Sequence, residues 1–217
     1  MSSVIEFIMR GGPFELVLLV CSIVMVALFL ERLWTYHIIT RKNRIVKKEV
    51  EEALKRGMTS DALRACEANV STIGAVVAAG LRRMHMGVDV MQDAMSFAIA
   101  SMQSFLEKYL VWLSTIATIA PLLGFLGTVS GLYKAFVQVT VYGLGDPTKF
   151  AAGVAEALIT TVTGLVIAIP ANLAYNYFIN KVDAFTIEME AVARELIELQ
   201  QTTACQGAGD KSAVAAK

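Results

Sequence analysis

The chain has 217 residues, nineteen basic and nineteen acidic side chains, no net charge, 56% hydrophobic residues and a mean hydropathy of +0.58. A soluble domain spreads its apolar residues in short periodic runs, whereas here they sit in three long uncharged blocks, so the chain is an all-α integral membrane protein. The basic groups form no stripe along one face, which removes nucleic-acid binding from the candidate functions.

Met1 to Arg10 is an amphipathic lead-in, with Val4, Ile5, Phe7 and Ile8 beside Glu6 and Arg10. Such a segment lies along a membrane surface, and residues 1–12 are assigned to the outer side. Gly11-Gly12-Pro13 breaks it. Residues 13–31 form the first span, closed by Glu31-Arg32, with Glu15 placed at headgroup level near its outer end. A cleaved signal peptide is disfavoured, because the basic lead is thin and no small-x-small site follows the apolar run.

Residues 32–108 are polar, helical in pattern and hold twelve of the nineteen lysines and arginines. Arg41, Lys42, Arg44, Lys47 and Lys48 follow the first span directly, so the positive-inside rule makes this segment cytoplasmic and the amino terminus external. Gly57 and Gly87 are expected to end helices, with Ser60 or Asp61, and then Asp89, capping the next ones. From Asp89 no breaker appears before Pro121. One helix roughly 70 Å long is therefore expected to run from the cytoplasm into the second span, residues 109–136. Residues 137–150 form an outer loop in which Asp146 caps and Pro147 opens the third helix. That helix spans the membrane over 151–180 and continues over 181–200, and the small polar end at 201–217 is expected to be disordered.

No catalytic or metal constellation is visible. Cys21, Cys66 and Cys205 are far apart, and His37 and His85 have no ligand companions, so no cofactor is expected and the chain is not read as an enzyme. The informative stretch is Glu156 to Tyr177. It opens with a carboxylate, holds Thr160, Thr161 and Thr163 within one turn, contains Pro170, and ends in Asn172, Asn176 and Asn180 at four-residue spacing. At about 100° per residue, Ala157, Thr161, Gly164, Ala168, Ala171 and Asn172 share one small side. On the second span Ala117, Pro121, Gly124 and Thr128 do the same. Small faces let membrane helices approach closely. Two readings fit. The hydroxyls bond back to their own helix carbonyls, or the two faces form a shared polar seam with Thr128 and Thr161 at similar depth. Polar side chains at membrane depth usually face protein or a wet cavity. A proton path needs a titratable group near the midplane, and Glu156, at the outer end of its span, is the one candidate in these two spans. If protons move here, a partner must supply the central carboxylate.

Pro121-Leu-Leu-Gly-Phe-Leu-Gly-Thr-Val-Ser-Gly-Leu132 followed by Ala155-Glu-Ala-Leu-Ile-Thr-Thr-Val-Thr-Gly-Leu-Val-Ile-Ala-Ile-Pro-Ala171 resembles the MotA/TolQ/ExbB proton-channel family. The three-span layout is closer to ExbB and TolQ than to the four-span MotA. The resemblance implies a homopentamer in the bacterial inner membrane, with second and third spans lining a central pore. It implies two single-span ExbD- or TolR-like partners, each bringing an aspartate, and a TonB- or TolA-like protein that receives the work. By motif position Thr128 and Thr161 match the family's pore threonines, and Glu156 its carboxylate. Further candidates for the pore wall are Pro121, Gly124, Thr160, Thr163, Gly164, Ala168, Asn172 and Asn176. Ser130 stands where many relatives have tryptophan, and Thr160 and Thr163 where some have alanine.

Overall fold

The computed structural model describes residues 12–56, 58–69, 71–142 and 147–215. The amphipathic lead-in, the Gly57 stop and the Asp146 cap lie outside them. Six α-helices follow in order: α1 Gly12–Lys55, α2 Thr59–Ala68, α3 Thr72–Leu81, α4 Val88–Glu107, α5 Leu110–Tyr142 and α6 Pro147–Ala215, with a 3-10 turn at Met84–Met86 before α4. Among the described residues there is no strand. Three stretches are long and apolar enough to cross a membrane, within Gly12–Lys55, Leu110–Val141 and Phe150–Thr202. Pro121 and Pro170 lie inside α5 and α6, which continue through them. α6 also includes the small polar end as far as Ala215, where a structureless tail was expected.

The contacts divide into two units. The first is built from the chain up to Arg32 and Tyr109–Phe178. On α1 its buried positions are Glu15, Leu18 and Arg32, and the Phe29 ring packs 5.5 Å from that of Phe178. Arg32 is 4% exposed, yet its charge is satisfied. It hydrogen-bonds Glu31 and lies 4.6 Å above the Tyr109 ring, a geometry in which a desolvated cation is attracted to the aromatic face. Large apolar side chains such as Ile23, Phe125, Val166 and Leu173 stay on the outside of this unit, as expected of helices that meet lipid or further protein rather than water.

The second unit contains Leu33–Lys108 and the chain from Ile179 onward. Its core joins Val46 and Val50 of α1, Ile73, Val76 and Val77 of α3, Met91 and Met95 of α4, and Met189, Val192 and Leu196 of α6. The three methionines are packing side chains of this core. Gly80 lets Met95 approach α3 closely: a methyl group there would stand 2.6 Å from the Met95 sulfur, and that side chain would have to shift. Asn43, 1% exposed, acts as a cap from outside α3. Its Oδ1 accepts from the Thr72 amide at 3.1 Å, while its Nδ2 donates to the Thr72 hydroxyl at 2.8 Å. Ser71 completes the start of that helix by accepting from the Gly74 amide. Two helix-end groups that would otherwise be orphaned are thereby satisfied. Burial, then the carboxylates of Glu67 and Glu49, push the Cys66 thiol up to about 11, so it remains a protonated packing group at neutral pH.

Three local expectations are corrected. The helix from Asp89 into the second span is broken by a two-residue turn at Lys108 and Tyr109. The Leu106 carbonyl, in the last turn of α4, takes a hydrogen bond from the buried Tyr36 hydroxyl at 3.0 Å, which gives a helix-end acceptor a partner outside its own helix. Ser60 and Asp61 do not cap α2, which starts after Met58 with no side-chain cap. They fall inside its first turn, where Asp61 still faces the positive end of the helix dipole. Asp89 likewise sits in the first turn of α4, and Gly87 precedes it at φ 108°, a backbone angle that other residues rarely adopt.

Candidate functional site

α5 and α6 pack antiparallel through a ladder of small residues. A methyl group at Gly131 would stand 2.8 Å from the Gly153 carbonyl oxygen and 2.9 Å from the Ala157 Cβ. One at Gly124 would stand 3.0 Å from the Thr160 carbonyl oxygen, and one at Gly164 only 2.6 Å from that of Ala120. Backbones this close leave no room for a side chain, and close approach replaces hydrophobic driving force between helices in lipid. The spacing of the glycines thus sets the register of the hairpin.

That register decides where each hydroxyl goes. Thr160 is fully buried, seated against Gly127, and its hydroxyl turns back to the Ala157 carbonyl at 3.0 Å. Thr161, half-buried, has its hydroxyl 3.3 Å from both the Ala157 carbonyl and, across the seam, the Gly124 carbonyl. Thr128, also half-buried, donates to the Phe125 carbonyl at 2.6 Å. Thr161 is therefore level with Gly124, and Thr128 lies about one helical turn, roughly 5 Å, nearer the Glu156 end, rather than at the same depth. Gly164, Ala168 and Ala171 are buried along the same side of α6, Pro121 is half-buried on α5, and Asn172, Asn176 and Asn180 are exposed. The Asn176 amide donates to Asn172 at 3.1 Å, so the asparagine row is partly self-satisfied.

Two charged features escaped the sequence reading. Lys134 on α5 donates to Glu156 Oε1 at 2.5 Å, so the carboxylate at this end of α6 is held by a cation on the facing helix. The glycine ladder carries the signal for this pair, because continuing its antiparallel register brings position 134 near the Glu156 turn. Glu15 is the second. The sequence suggested its depth, at headgroup level, but no partner; it is 3% exposed, and its Oε1 is hydrogen-bonded to the Thr163 hydroxyl at 2.9 Å. The cause is the α1 register: Glu15 is one turn before the fully buried Leu18 and so shares the face turned toward α6. Thr163 consequently faces α1, not the face shared by Thr128 and Thr161. Gly12, one turn before Glu15, abuts Glu156 Oε1, and its φ of 69° is a backbone conformation that favours glycine.

No acidic or basic side chain occurs between Lys108 and Lys134 on the second span, or between Glu156 and Lys181 on the third. The seam thus offers hydroxyls and carbonyls, with a carboxylate–ammonium pair at one end. Such groups can hydrogen-bond a carboxyl brought by another helix, and they can relay a proton along water, but the hydroxyls hold none themselves at neutral pH.

Comparison with known proteins decides the family. The model of the MotA/TolQ/ExbB proton channel family matches residues 36–191. The chain belongs to this family. It is 30% identical over 206 residues to an ExbB-like protein of Synechocystis, covering 88% of this chain and 79% of that one. It is 32% identical over 102 residues to the biopolymer transport protein ExbB of Salmonella typhimurium, covering 47% of this chain and 42% of that one. With the ExbB of Aquifex aeolicus the identity is 34% over 96 residues, or 44% and 65% of the two chains. The matched family is one of membrane proton channels.

Proposed function

We propose that this chain is the ExbB-like subunit of a proton-driven motor in a bacterial inner membrane, with its amino terminus outside and its carboxyl terminus in the cytoplasm. Five copies surround a pore lined by second and third spans. Two single-span ExbD-like helices stand in the pore, each with an aspartate. Protons descend from the outer side past Glu156 to that aspartate. Once neutral, the aspartate leaves the Thr128 and Thr161 hydroxyls of one subunit for those of the next. The mismatch of five against two turns proton flow into rotation, and a TonB-like protein carries the work toward outer-membrane transport. No cofactor is used, and protons are the coupling ion.

The observation that carries this reading is the seam itself: close-packed helices with hydroxyls on their faces and no acidic or basic side chain between Lys108 and Lys134 or between Glu156 and Lys181, in a chain of a proton-channel family. A TolQ-like role in an envelope system uses the same site with a TolR-like partner and a TolA-like protein. A non-conducting scaffold for the partner is favoured by one detail, the bonding of the Thr160, Thr161 and Thr163 hydroxyls back to carbonyls of their own helix. Glu156→Ala separates the readings. A motor subunit loses partner-dependent uptake while the complex still assembles, because Glu156 lies at the end of the seam and leaves the glycine ladder untouched. Full uptake in that variant sinks the motor assignment and leaves the scaffold.

A further inference from the structure

Within the first unit, one group is unexplained by the motor reading. Glu15 Oε2 is buried and has no hydrogen-bond partner, although the carboxyl lies at the tightly packed junction of α1 with α6. A carboxylate in such a place is costly unless a cation and several donors hold it. Here, among the described residues, no basic side chain is within ion-pair distance of Glu15. Among the described residues, Lys134 of α5, whose ammonium lies beside Gly12, is engaged by Glu156. The nearest acid on α6 is Glu156 itself, which abuts Gly12 one turn along α1 from Glu15. On α1 the next charged side chains are Glu31 and Arg32, more than four turns away and bonded to each other. A second negative charge at this junction would be opposed by the first through a low-dielectric interior.

The hydrogen count points the same way. Thr163 Oγ1 is 2.9 Å from Glu15 Oε1 and 3.0 Å from the Ile159 carbonyl oxygen. A threonine hydroxyl has one hydrogen and cannot fully serve two acceptors. If the carboxyl carries a proton, Glu15 donates to Thr163 Oγ1 and Thr163 donates to Ile159. Every short contact then has its own hydrogen. The remaining oxygen is a neutral carbonyl oxygen, for which going unpartnered costs much less than for an anion.

We propose that Glu15 and Thr163 form a proton-binding site between the first and third spans of each subunit, occupied in the resting protein. It is distinct from the Thr128 and Thr161 faces, and it exists whether or not the complex conducts. Its ligand is the proton alone, held as the neutral carboxylic acid and exchanged with water at the Glu156 end. The proton lets the bond that fastens the start of the first span to the third coexist with the Thr163–Ile159 bond; once it leaves, the single Thr163 hydrogen must serve either the carboxylate or the Ile159 carbonyl.

Infrared spectroscopy of the purified full-length protein in lipid at neutral pH reads this directly. A protonated carboxyl gives a C=O stretch above the amide band, and it shifts down in heavy water. The expected result is such a band in the resting protein, reduced by one carboxyl per subunit in Glu15→Gln. Glutamine keeps the fold because its amide can donate to Thr163 in the same way. Thr163→Val, with Glu15 intact, should move the band to higher frequency as the hydrogen bond disappears. This second variant carries the test should Glu15→Gln fold poorly. A spectrum with no such band, or a band untouched by both substitutions, overturns the proposal. Loss of proton flux with the band in place counts against the motor reading alone.

Discussion

Replacing Gly164 with leucine is expected to destroy the α5–α6 hairpin and, with it, the assembled complex. A single methyl group there already meets the Ala120 carbonyl oxygen at 2.6 Å and the Gly124 Cα at 3.1 Å. Both obstacles are backbone, so neither can rotate away. Overpacking that flexible neighbours absorb costs about 1–3 kcal/mol, and here two helices must separate, so the loss should reach at least the top of that range. The cost is amplified because close small-residue contact is what joins helices in lipid, where hydrophobic exclusion does not act between them. Thermal unfolding of the detergent-solubilised protein measures the effect, with Leu165→Ile, one residue away on the exposed side of α6, as the tolerated comparison. A Gly164→Leu protein that unfolds at the wild-type temperature would show that the two spans do not pack as described.

Thr161→Val is expected to abolish partner-dependent proton flux without loss of assembly. Valine has nearly the shape of threonine, and the hydroxyl it removes makes only long contacts, 3.3 Å to each of the Gly124 and Ala157 carbonyls. A hydrogen bond of this kind contributes about 0.5–1.5 kcal/mol, too little to dissolve the hairpin. The function of the hydroxyl is a different matter. Thr161 is half-buried whereas Thr160 is fully buried, so of the two it is the one that a group arriving from outside the subunit can reach. Thr161→Ser restores the hydroxyl and should restore flux. A valine variant that conducts normally with its partner would remove Thr161 from the proton path.

The sequence carried the large features because their signals are long. Three uncharged blocks of membrane length need no tertiary information. Small-residue faces on α5 and α6 were legible for the same reason. The relative height of those faces was not. Periodicity fixes which side of a helix a residue occupies but says nothing about its height against a neighbour, so Thr128 and Thr161 were placed level when they are a turn apart. The Lys134–Glu156 pair and the Glu15–Thr163 contact were hidden likewise, since each joins two helices whose register is set by packing. The break at Tyr109 has no glycine or proline to announce it. It coincides with a hydrogen bond from Tyr36, seventy positions from Leu106 along the chain.

Proton entry into liposomes, measured with this chain alone and again with a single-span helix that carries an aspartate, tests the borrowed carboxyl most directly. Under an imposed gradient the chain alone should leak no faster than empty vesicles, and adding the companion should open a flux that its Asp→Asn variant abolishes. A rapid flux from the chain alone, indifferent to any companion, would contradict the account.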